Sequence, residues 1–361
     1  MSKVAVAVKL RIKAGQRDAF TEAVQPGLAT AQGESGTLTY IFHHDALDAD
    51  VVWFYEMYAN QDAMNAHMGS DAFKAFSKSL ADFVDGAPEF NLLSPIGGKG
   101  LYVLYLDNIV QSHREVASRD QRSLDDLVGR ARALSSTRGF ADRLVQGSRE
   151  NLCVIAEIKR KSPSKGVLHA DLDAAHIASL YEQGGASCLS VLTDEHFFGG
   201  SVEDLQIARA STSLPVIRKD FTVSEFDVVD ARLMGADCVL LIAAVLTDDE
   251  LARFHDLSVH IGLEVLVETH DENELERALN VGANIVGVNQ RDLITFEVDH
   301  ARAERMASLI PPTVVRVAES GVRNADDARR LRDAGYDAVL VGESIVTSSD
   351  PVSAVRDLKV A

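Results

Sequence analysis

The chain has 361 residues, 46% of them hydrophobic and 25% charged, with a net charge of −18. This length allows two domains, or one large barrel with an appendage. The acidic balance argues against nucleic acid as the main partner, because a phosphate backbone requires a broad basic face. The sequence also shows neither a secretory signal pattern nor an apolar run of the ~20 residues that a membrane span needs, so no membrane partner is expected.

Three cysteines, Cys153, Cys188 and Cys238, lie in or at the start of apolar runs. Their spacing fits no zinc-ligand pattern, and their odd number gives no disulfide framework. We therefore expect buried, reduced thiols in a cytoplasmic protein.

Residues 1–96 follow the order β-α-β-β-α-β, which predicts a small α+β ferredoxin-like domain. Strands are predicted over 4–13, 37–46, 51–59 and 88–96, and helical periodicity covers 15–32 and 60–84. The glycine-rich stretch 97–100 is the predicted linker. Two helical segments, 101–118 and 123–134, follow it.

The remainder of the chain alternates short apolar strands with helical segments at intervals of about 25 residues, as an eightfold β/α repeat requires. The predicted strands are 153–159, 188–193, 215–220, 238–244, 264–269, 285–291, 314–320 and 338–344. Glycine recurs before every second strand, where it suits the left-handed end of a helix; the positions are Gly185, Gly235, Gly282 and Gly335. An open doubly wound sheet would instead carry a glycine-rich loop after its first strand. The pattern predicts a (β/α)8 TIM barrel over residues 101–361, with extra N-terminal helices.

Polar residues stand where the predicted barrel strands end, which is where TIM-barrel active sites lie. They are Glu157, Lys159, Lys219, Glu268, Asn289, Arg291, Glu319 and Ser320. Any one of them could be a rim charge or a buried ion pair, but together they favour a site in which neighbouring charges tune proton transfer. Small residues after strands 7 and 8, at Ser320-Gly321 and Gly342-Glu343-Ser344, favour phosphate binding through backbone N–H groups.

Six segments of this half closely resemble indole-3-glycerol phosphate synthase: AEIKRKSPSKG (156–166), SVLTDEHFFGGS (190–201), LPVIRKDF (214–221), NQRDL (289–293), VAESGV (317–322) and VGES (341–344). The resemblance covers about residues 101–361. It implies a lyase of tryptophan biosynthesis that converts 1-(2-carboxyphenylamino)-1-deoxyribulose 5-phosphate to indole-3-glycerol phosphate, CO2 and water. It also implies that no metal or organic cofactor is needed.

The resemblance further implies a role for individual residues at the barrel mouth. Lys219 is the general acid on the ketone oxygen, Lys159 neutralises the substrate carboxylate, and Glu268 is the acid/base of the later dehydration. Glu157, Asn289 and Glu319 hold hydroxyls and orient the lysines. The phosphate or the adjacent substrate edge is expected to meet Ser162, Arg291, Ser320, Gly321, Gly342 and Glu343, with Lys165 as a further contact. The aromatic Phe221, Phe197 and Phe198 are candidates to flank the substrate ring, and plain packing is equally open to them.

The segment VVWFYEMYANQDAMNAHMGSDAFKAF (51–76) resembles the antibiotic-biosynthesis-monooxygenase family, whose members usually dimerise through their sheets. The resemblance makes Trp53 and His67 candidate site residues, although a core or interface role is the commoner one for single residues on patterned elements. Three roles remain for this domain: a cofactor-free oxygenase of quinol-like or indolic rings, a binding or channelling module, and a dimerisation domain. A homodimer through this domain and contacts with other tryptophan-pathway enzymes are the macromolecular partners expected.

Overall fold

The computed structural model describes residues 3–34, 36–95, 103–162, 165–292 and 297–361. The chain divides into two compact units, Met1–Lys99 and Gly100–Ala361. The predicted linker, 97–100, lies outside the described residues and stays a prediction. Among the described helices, none combines the length and the apolar character needed to cross a membrane.

The N-terminal unit is a four-stranded antiparallel sheet with helices on one face, and it confirms the predicted ferredoxin-like fold. The strand order is β2-β3-β1-β4. Its core joins Val52 and Phe54 of the sheet to Phe20 and Phe76 of the helices. In chain order the elements are β1 (Val4–Arg11), α1 (Arg17–Ala23), α2 (Gln25–Gln32), β2 (Thr37–His44), β3 (Val51–Tyr58), α3 (Gln61–Gly69), α4 (Asp71–Leu80) and β4 (Glu89–Leu93).

Each predicted helical segment of this unit is in fact two helices. Pro26 lies in the first turn of α2, where its missing N–H and fixed φ suit a helix start rather than a helix interior. Ser70 separates α3 from α4 in an extended conformation, and its hydroxyl accepts the Phe73 N–H at 3.0 Å. This cap begins a new helix because it satisfies a donor that the first turn leaves free.

The second unit is a closed barrel of eight parallel strands, which confirms the predicted TIM barrel. Three helices precede it: α5 (Val103–Ala117), α6 (Leu124–Arg132) and α7 (Phe140–Gly147). The barrel elements are β5 (Cys153–Ile158), β6 (Lys161–Ser162), β7 (Gly166–Val167), α8 (Ala174–Gly184), β8 (Cys188–Leu192), α9 (Glu195–Phe198), α10 (Val202–Ser211), β9 (Val216–Lys219), α11 (Glu225–Met234), β10 (Cys238–Ile242), α12 (Asp248–His260), β11 (Glu264–Thr269), α13 (Glu272–Asn280), β12 (Ile285–Asn289), α14 (His300–Ala307), β13 (Val315–Glu319), α15 (Ala325–Asp333), β14 (Ala338–Val341), α16 (Glu343–Val346) and α17 (Pro351–Asp357). The strands β5, β8, β9, β10, β11, β12, β13 and β14 close the barrel in that order, and β6 and β7 form a small hairpin beside it.

Strand alternation separates two apolar layers. On β5, Cys153 and Ile155 point into the barrel, whereas Val154 and Ala156 pack against the surrounding helices. All three cysteines are free and buried, as expected, and burial raises the pKa of the Cys188 and Cys238 thiols. The same alternation continues to Glu157, which therefore points into the barrel mouth.

Helix α7 was not predicted. Phe140 and Leu144 of α7 are fully buried and pack with the interior residues of the barrel. The helix has only 8 residues and begins after Gly139 without a side-chain cap, so the usual sequence signals of a helix start are missing.

The glycines predicted to end helices have the expected backbone conformation. Their φ angles are +88° at Gly185, +104° at Gly235, +82° at Gly282 and +100° at Gly335. A side chain at such angles brings Cβ against the following carbonyl oxygen, which is why glycine recurs before every second strand.

We predict that Gly282→Ala lowers the free energy of unfolding by about 1–2 kcal/mol. No heavy atom lies within 4 Å of a Cβ built at Gly282, so the cost is one of backbone conformation alone. Gly129→Ala is the matched control, since Gly129 is exposed inside α6 and its Cβ also meets nothing within 4 Å; it should stabilise by about 0.5–1 kcal/mol. Urea unfolding followed by far-UV circular dichroism measures both changes, and equal effects of the two substitutions would contradict the explanation.

Candidate active site

The carboxyl ends of the barrel strands surround a cavity of about 460 Å³. Its wall contains all but one of the barrel residues that the sequence placed at the site, Phe197 being the exception: Glu157, Lys159, Ser162, Lys165, Phe198, Lys219, Phe221, Glu268, Asn289, Arg291, Glu319, Ser320, Gly321, Gly342 and Glu343. A cavity of this size, with polar groups converging on an apolar interior, suits a small-molecule ligand.

Lys219, at the end of β9, occupies the centre of the charged part of the cavity. Its Nζ lies 3.1 Å from Glu268 Oε2 and 3.8 Å from Glu319 Oε2. Burial lowers the pKa of Lys219, but the surrounding carboxylates outweigh that effect and hold the pKa above its ordinary value. The lysine is therefore a cation at neutral pH.

The two carboxylates beside Lys219 have opposite pKa shifts. Burial opposes ionisation of Glu268, but the Lys219 charge, His270 and the Asn289 amide hold its pKa below the ordinary range. The Asn289 Nδ2 donates to Glu268 Oε1 at 3.1 Å. Burial and the neighbouring Glu268 charge raise the pKa of Glu319. One buried carboxylate is thus ionised while the other favours its protonated form, as in sites that need both a base and an acid.

Glycine makes room for two of the carboxylates. A Cβ at Gly287 in β12 would lie 2.1 Å from Glu319 Oε1, and one at Gly342 would lie 2.5 Å from Glu157 Oε1. Real Cβ atoms do not approach oxygen so closely, so neither carboxylate could keep its position beside a larger residue. Gly287 was missed at the sequence level, although a glycine inside a strand indicates a close approach of this kind.

Glu157 and Lys159 form a second ion pair at the end of β5. Lys159 Nζ donates a hydrogen bond to Glu157 Oε1. Ser190 of the adjacent strand β8 donates to Glu157 Oε2 at 3.3 Å. Ser190 was also missed, because one serine in an apolar strand has no distinctive pattern until the strand register is known.

His270, directly after β11, is the third residue that sequence reasoning missed. It is largely buried; its Nε2 lies 3.4 Å from Glu268 Oε1 and its Nδ1 lies 3.0 Å from Glu274 Oε2. Burial lowers the pKa of His270, but Glu268 and Glu274 outweigh that effect and raise it to about 9. A charged imidazole therefore lies behind Glu268 and favours its ionised form.

The loops after β13 and β14 line the side of the cavity at which the sequence predicts phosphate binding. Ser320 has φ +65° and is the one non-glycine residue with a positive φ in the described part of the chain; Gly321 follows at +77°. A left-handed serine is uncommon, and such strain is concentrated at ligand sites. Lys165 Nζ and Arg291 Nη2 lie 3.8 Å and 3.9 Å from the half-exposed Glu343 carboxylate, so two cations border these loops.

Phe221 and Phe198 form the aromatic part of the wall. Their ring centroids are 6.4 Å apart, and both side chains line the cavity. Phe197 packs instead on His196, at 4.5 Å between ring centroids.

The two candidates of the N-terminal unit do not come together. His67 packs among the rings of Tyr40, Tyr58 and Phe73 on the helix side of the sheet, is 3% exposed, and its Nδ1 lies 2.6 Å from Glu34 Oε2. Trp53 and Tyr58 are an odd number of positions apart on β3, so the Trp53 side chain lies on the opposite face of the sheet from Tyr58 and His67. There its Nε1 donates to Asp45 Oδ2 at 2.9 Å.

A closed β/α barrel with half-buried lysines and buried carboxylates of divergent pKa at its carboxyl-terminal mouth defines a TIM-barrel enzyme of the acid–base type. The family model described as indole-3-glycerol phosphate synthase matches residues 106–358, and the chain belongs to that family. Over 259 residues it is 49% identical to indole-3-glycerol phosphate synthase of Streptomyces griseus, which covers 71% of this chain and 95% of that protein. Indole-3-glycerol phosphate synthase 1 of Streptomyces coelicolor is 48% identical over 258 residues, again 71% of this chain and 95% of the relative.

The N-terminal unit has separate matches. The family model described as antibiotic biosynthesis monooxygenase matches residues 3–79. The solved structure of Rv0793 from Mycobacterium tuberculosis covers 27% of this chain and 98% of its own, with 20% identity and a TM-score of 0.26. The chain therefore joins two family matches in sequence, as its two resemblances predicted.

We predict that His270→Asn destabilises the protein most at acidic to neutral pH. Because the pKa of His270 is raised from 6.5 to about 9, its ion pairs contribute fully below pH 6.5 and are lost as pH rises through about 9. The difference in unfolding free energy should be about 2–3 kcal/mol at low pH and close to zero above pH ~10. Urea unfolding across this range tests the prediction. The control is His260→Asn, at an exposed position on α12; a similar pH course for both variants would contradict it.

Proposed function

We propose that the barrel catalyses the decarboxylating ring closure of 1-(2-carboxyphenylamino)-1-deoxyribulose 5-phosphate to indole-3-glycerol phosphate, with release of CO2 and water. The observation that carries this proposal is the charged Lys219 held between two buried carboxylates whose pKa values diverge. The family match supports the same reaction. On this proposal the protein works in the cytoplasm on a phosphorylated small molecule, beside the other enzymes of tryptophan synthesis.

The ring-closing step assigns Lys219 as general acid. When the ring carbon that bears the carboxylate attacks the ketone carbon, negative charge develops on the ketone oxygen and positive charge on the nitrogen. The Lys219 ammonium can stabilise that oxygen and protonate it, and Glu268 and Glu319 keep the lysine charged beforehand. At the end of this step the former ketone oxygen is a hydroxyl group on the new ring.

The later steps use the other ion pair and the paired carboxylates. Lys159 neutralises the substrate carboxylate until the bond to CO2 breaks and its electrons return to the ring. In the dehydration, the ionised Glu268 takes a proton from the ring carbon next to the nitrogen, and the hydroxyl departs as water with a proton from Glu319. Glu319, whose pKa is raised, can donate a hydrogen bond to a substrate hydroxyl while Asn289 and Glu157 hold the neighbouring groups.

The two ends of the cavity match the two ends of this substrate. Phe221 and Phe198 flank the aromatic ring. The phosphate is received by the backbone at Ser320-Gly321 and Gly342 and by Ser162, Lys165 and Arg291. The half-exposed Glu343 carboxylate contacts Lys165 and Arg291, and because two anions repel each other it must turn away before a phosphate can take its place beside these cations.

We predict that Lys219→Ala lowers kcat for indole formation by at least ~10³-fold, because it removes the general acid from the cavity. The measurement is turnover of the carboxyphenylamino-deoxyribulose phosphate, with circular dichroism to verify the fold. Lys78→Ala is the control, since Lys78 is exposed on α4 of the other unit, and it should leave kcat unchanged. Turnover near the wild-type rate in Lys219→Ala would reject the assignment.

For the N-terminal unit we propose a dimerisation role through the open face of its sheet. Ile41, Tyr55 and Trp53 share that face by strand alternation and register, and Ile41 is 45% exposed. Apolar residues exposed on a sheet face are typical of an interface. The alternative, a cofactor-free oxygenase, depends on His67, which is enclosed by aromatic rings; oxygen consumption with small phenols and indoles would support that alternative instead.

We predict that Ile41→Glu converts a dimer of the full chain into monomers, because the charge would be buried without a partner. Analytical ultracentrifugation gives the mass directly. Leu47→Glu is the control: Leu47 is 99% exposed and lies between β2 and β3, away from the sheet face. A monomeric wild type, or a dimer that survives Ile41→Glu, would refute the proposed interface.

A further inference from the structure

His113 connects α5, which precedes the barrel, to two loops of the barrel mouth. Its Nε2 lies 2.9 Å from Asp194 Oδ2 and 3.8 Å from Asp220 Oδ1. The two aspartate side chains are 5% and 4% exposed, and the imidazole is 20% exposed. Asp194 follows β8 and Asp220 directly follows Lys219, so this cluster joins three separate parts of the unit.

Each aspartate also holds the backbone of an aromatic residue of the cavity wall. Asp194 Oδ1 accepts the N–H groups of Phe197 at 2.5 Å and Phe198 at 3.2 Å, which caps α9. Asp220 Oδ1 accepts the Phe221 N–H at 2.8 Å. The two carboxylates that contact His113 therefore fix the two rings proposed to enclose the substrate.

The imidazole also contacts one of these rings directly. The centroids of the His113 and Phe221 rings are 5.6 Å apart. Loss of the His113 bridge would therefore free Phe221 on one side and loosen the α9 loop through Asp194. Lys219 and Glu268, in contrast, are held by contacts that do not involve His113.

We propose that His113 is a positioning residue for the aromatic end of the substrate cavity. Its imidazolium bridges Asp194 and Asp220 and so holds Phe198 and Phe221 in the wall. This inference rests on the proposed function, and it adds a residue from α5 to the parts that determine substrate affinity. Because His113 acts on the wall and leaves the reacting groups untouched, its loss affects KM far more than kcat.

Charges around His113 favour its protonated form. The acidic groups facing it are Asp194, Asp220 and, farther away, Asp227 of α11. Arg218 is bound on the other oxygen of Asp220, at 2.9 Å. Burial lowers the pKa of His113, but the carboxylates outweigh it and hold the pKa above its ordinary value. The bridge is therefore complete at acidic to neutral pH and is lost as pH rises through the raised pKa.

His113, Asp194 and Asp220 together have the composition of a metal-ligand set. Their carboxylates, however, are already engaged by other donors. Asp220 Oδ2 accepts from Arg218 and from Thr193, and the Oδ1 atoms of both aspartates accept backbone N–H groups. A proton on His113 lets its imidazole donate to the remaining carboxylate oxygen. The Arg218 guanidinium bonded to Asp220 also repels a divalent metal ion.

The test compares kcat and KM of the full-length wild type, His113→Gln and His113→Lys from about pH 6 to pH 9. His113→Gln keeps a hydrogen-bond donor without the charge, and we expect a KM about five- to tenfold above wild type at low pH, with kcat within about twofold. The ratio of the variant KM to the wild-type KM is independent of the titration of the substrate phosphate, because that titration affects both KM values equally. This ratio should fall toward one at high pH, where wild-type His113 is neutral. His113→Lys keeps a charge throughout this range and should retain a low KM at every pH.

A substrate-free measurement separates this inference from the proposed function. Hydrogen–deuterium exchange of residues 103–117 and 195–201 should be faster in His113→Gln than in wild type near pH 6, with the difference vanishing near pH 9. A wild type without turnover would refute the proposed function and leave this measurement as the test of the bridge. Equal KM values and equal exchange in wild type and His113→Gln would overturn the inference, as would a KM that responds to added Zn²⁺ or to EDTA.

Discussion

Placing the ammonium of Lys219 at the centre of the barrel mouth constrains the groups around it. A buried charge without partners costs several kcal/mol, so carboxylates must lie close to it. Two carboxylates beside one ammonium also repel each other, and only one of them is strongly favoured in its ionised form. Asn289 and His270 act on Glu268 and favour its charge, which leaves Glu319 with the raised pKa. The opposite pKa shifts of the two carboxylates thus follow from the unequal surroundings of two identical side chains.

The closed barrel explains why these groups meet. Glu157, Lys219, Glu268 and Glu319 come from β5, β9, β11 and β13, the first, third, fifth and seventh barrel strands. In an eight-stranded barrel, side chains of alternate strands share one interior layer. The usual occupants of such layers are branched apolar residues, but here the layer nearest the mouth is charged. The intervening β12 supplies Gly287 at this level, paired with Glu268, and so leaves space for Glu319.

Sequence patterns predicted the eight strands because apolar alternation and glycine at helix ends are local signals. The polar residues at strand ends were predictable for the same reason. Ser190, Gly287 and His270 were not predictable, since the contact that each makes in the site depends on strand register or on a partner on another element. His113 is the extreme case: its partner Asp194 lies 81 residues away, and nothing within α5 distinguishes it from a surface histidine.

Three histidines in the described part of the chain contact carboxylates, and they differ in what else each of them touches. His67 pairs with Glu34, but three aromatic rings enclose it and its Nε2 is buried without a hydrogen-bond partner in the described structure. Such a group fits a role in holding α3 to the sheet. His270 and His113 instead contact carboxylates whose residues line the barrel cavity, Glu268 in one case and Asp194 and Asp220 in the other. Protonation of these two histidines therefore acts on residues that line the barrel cavity.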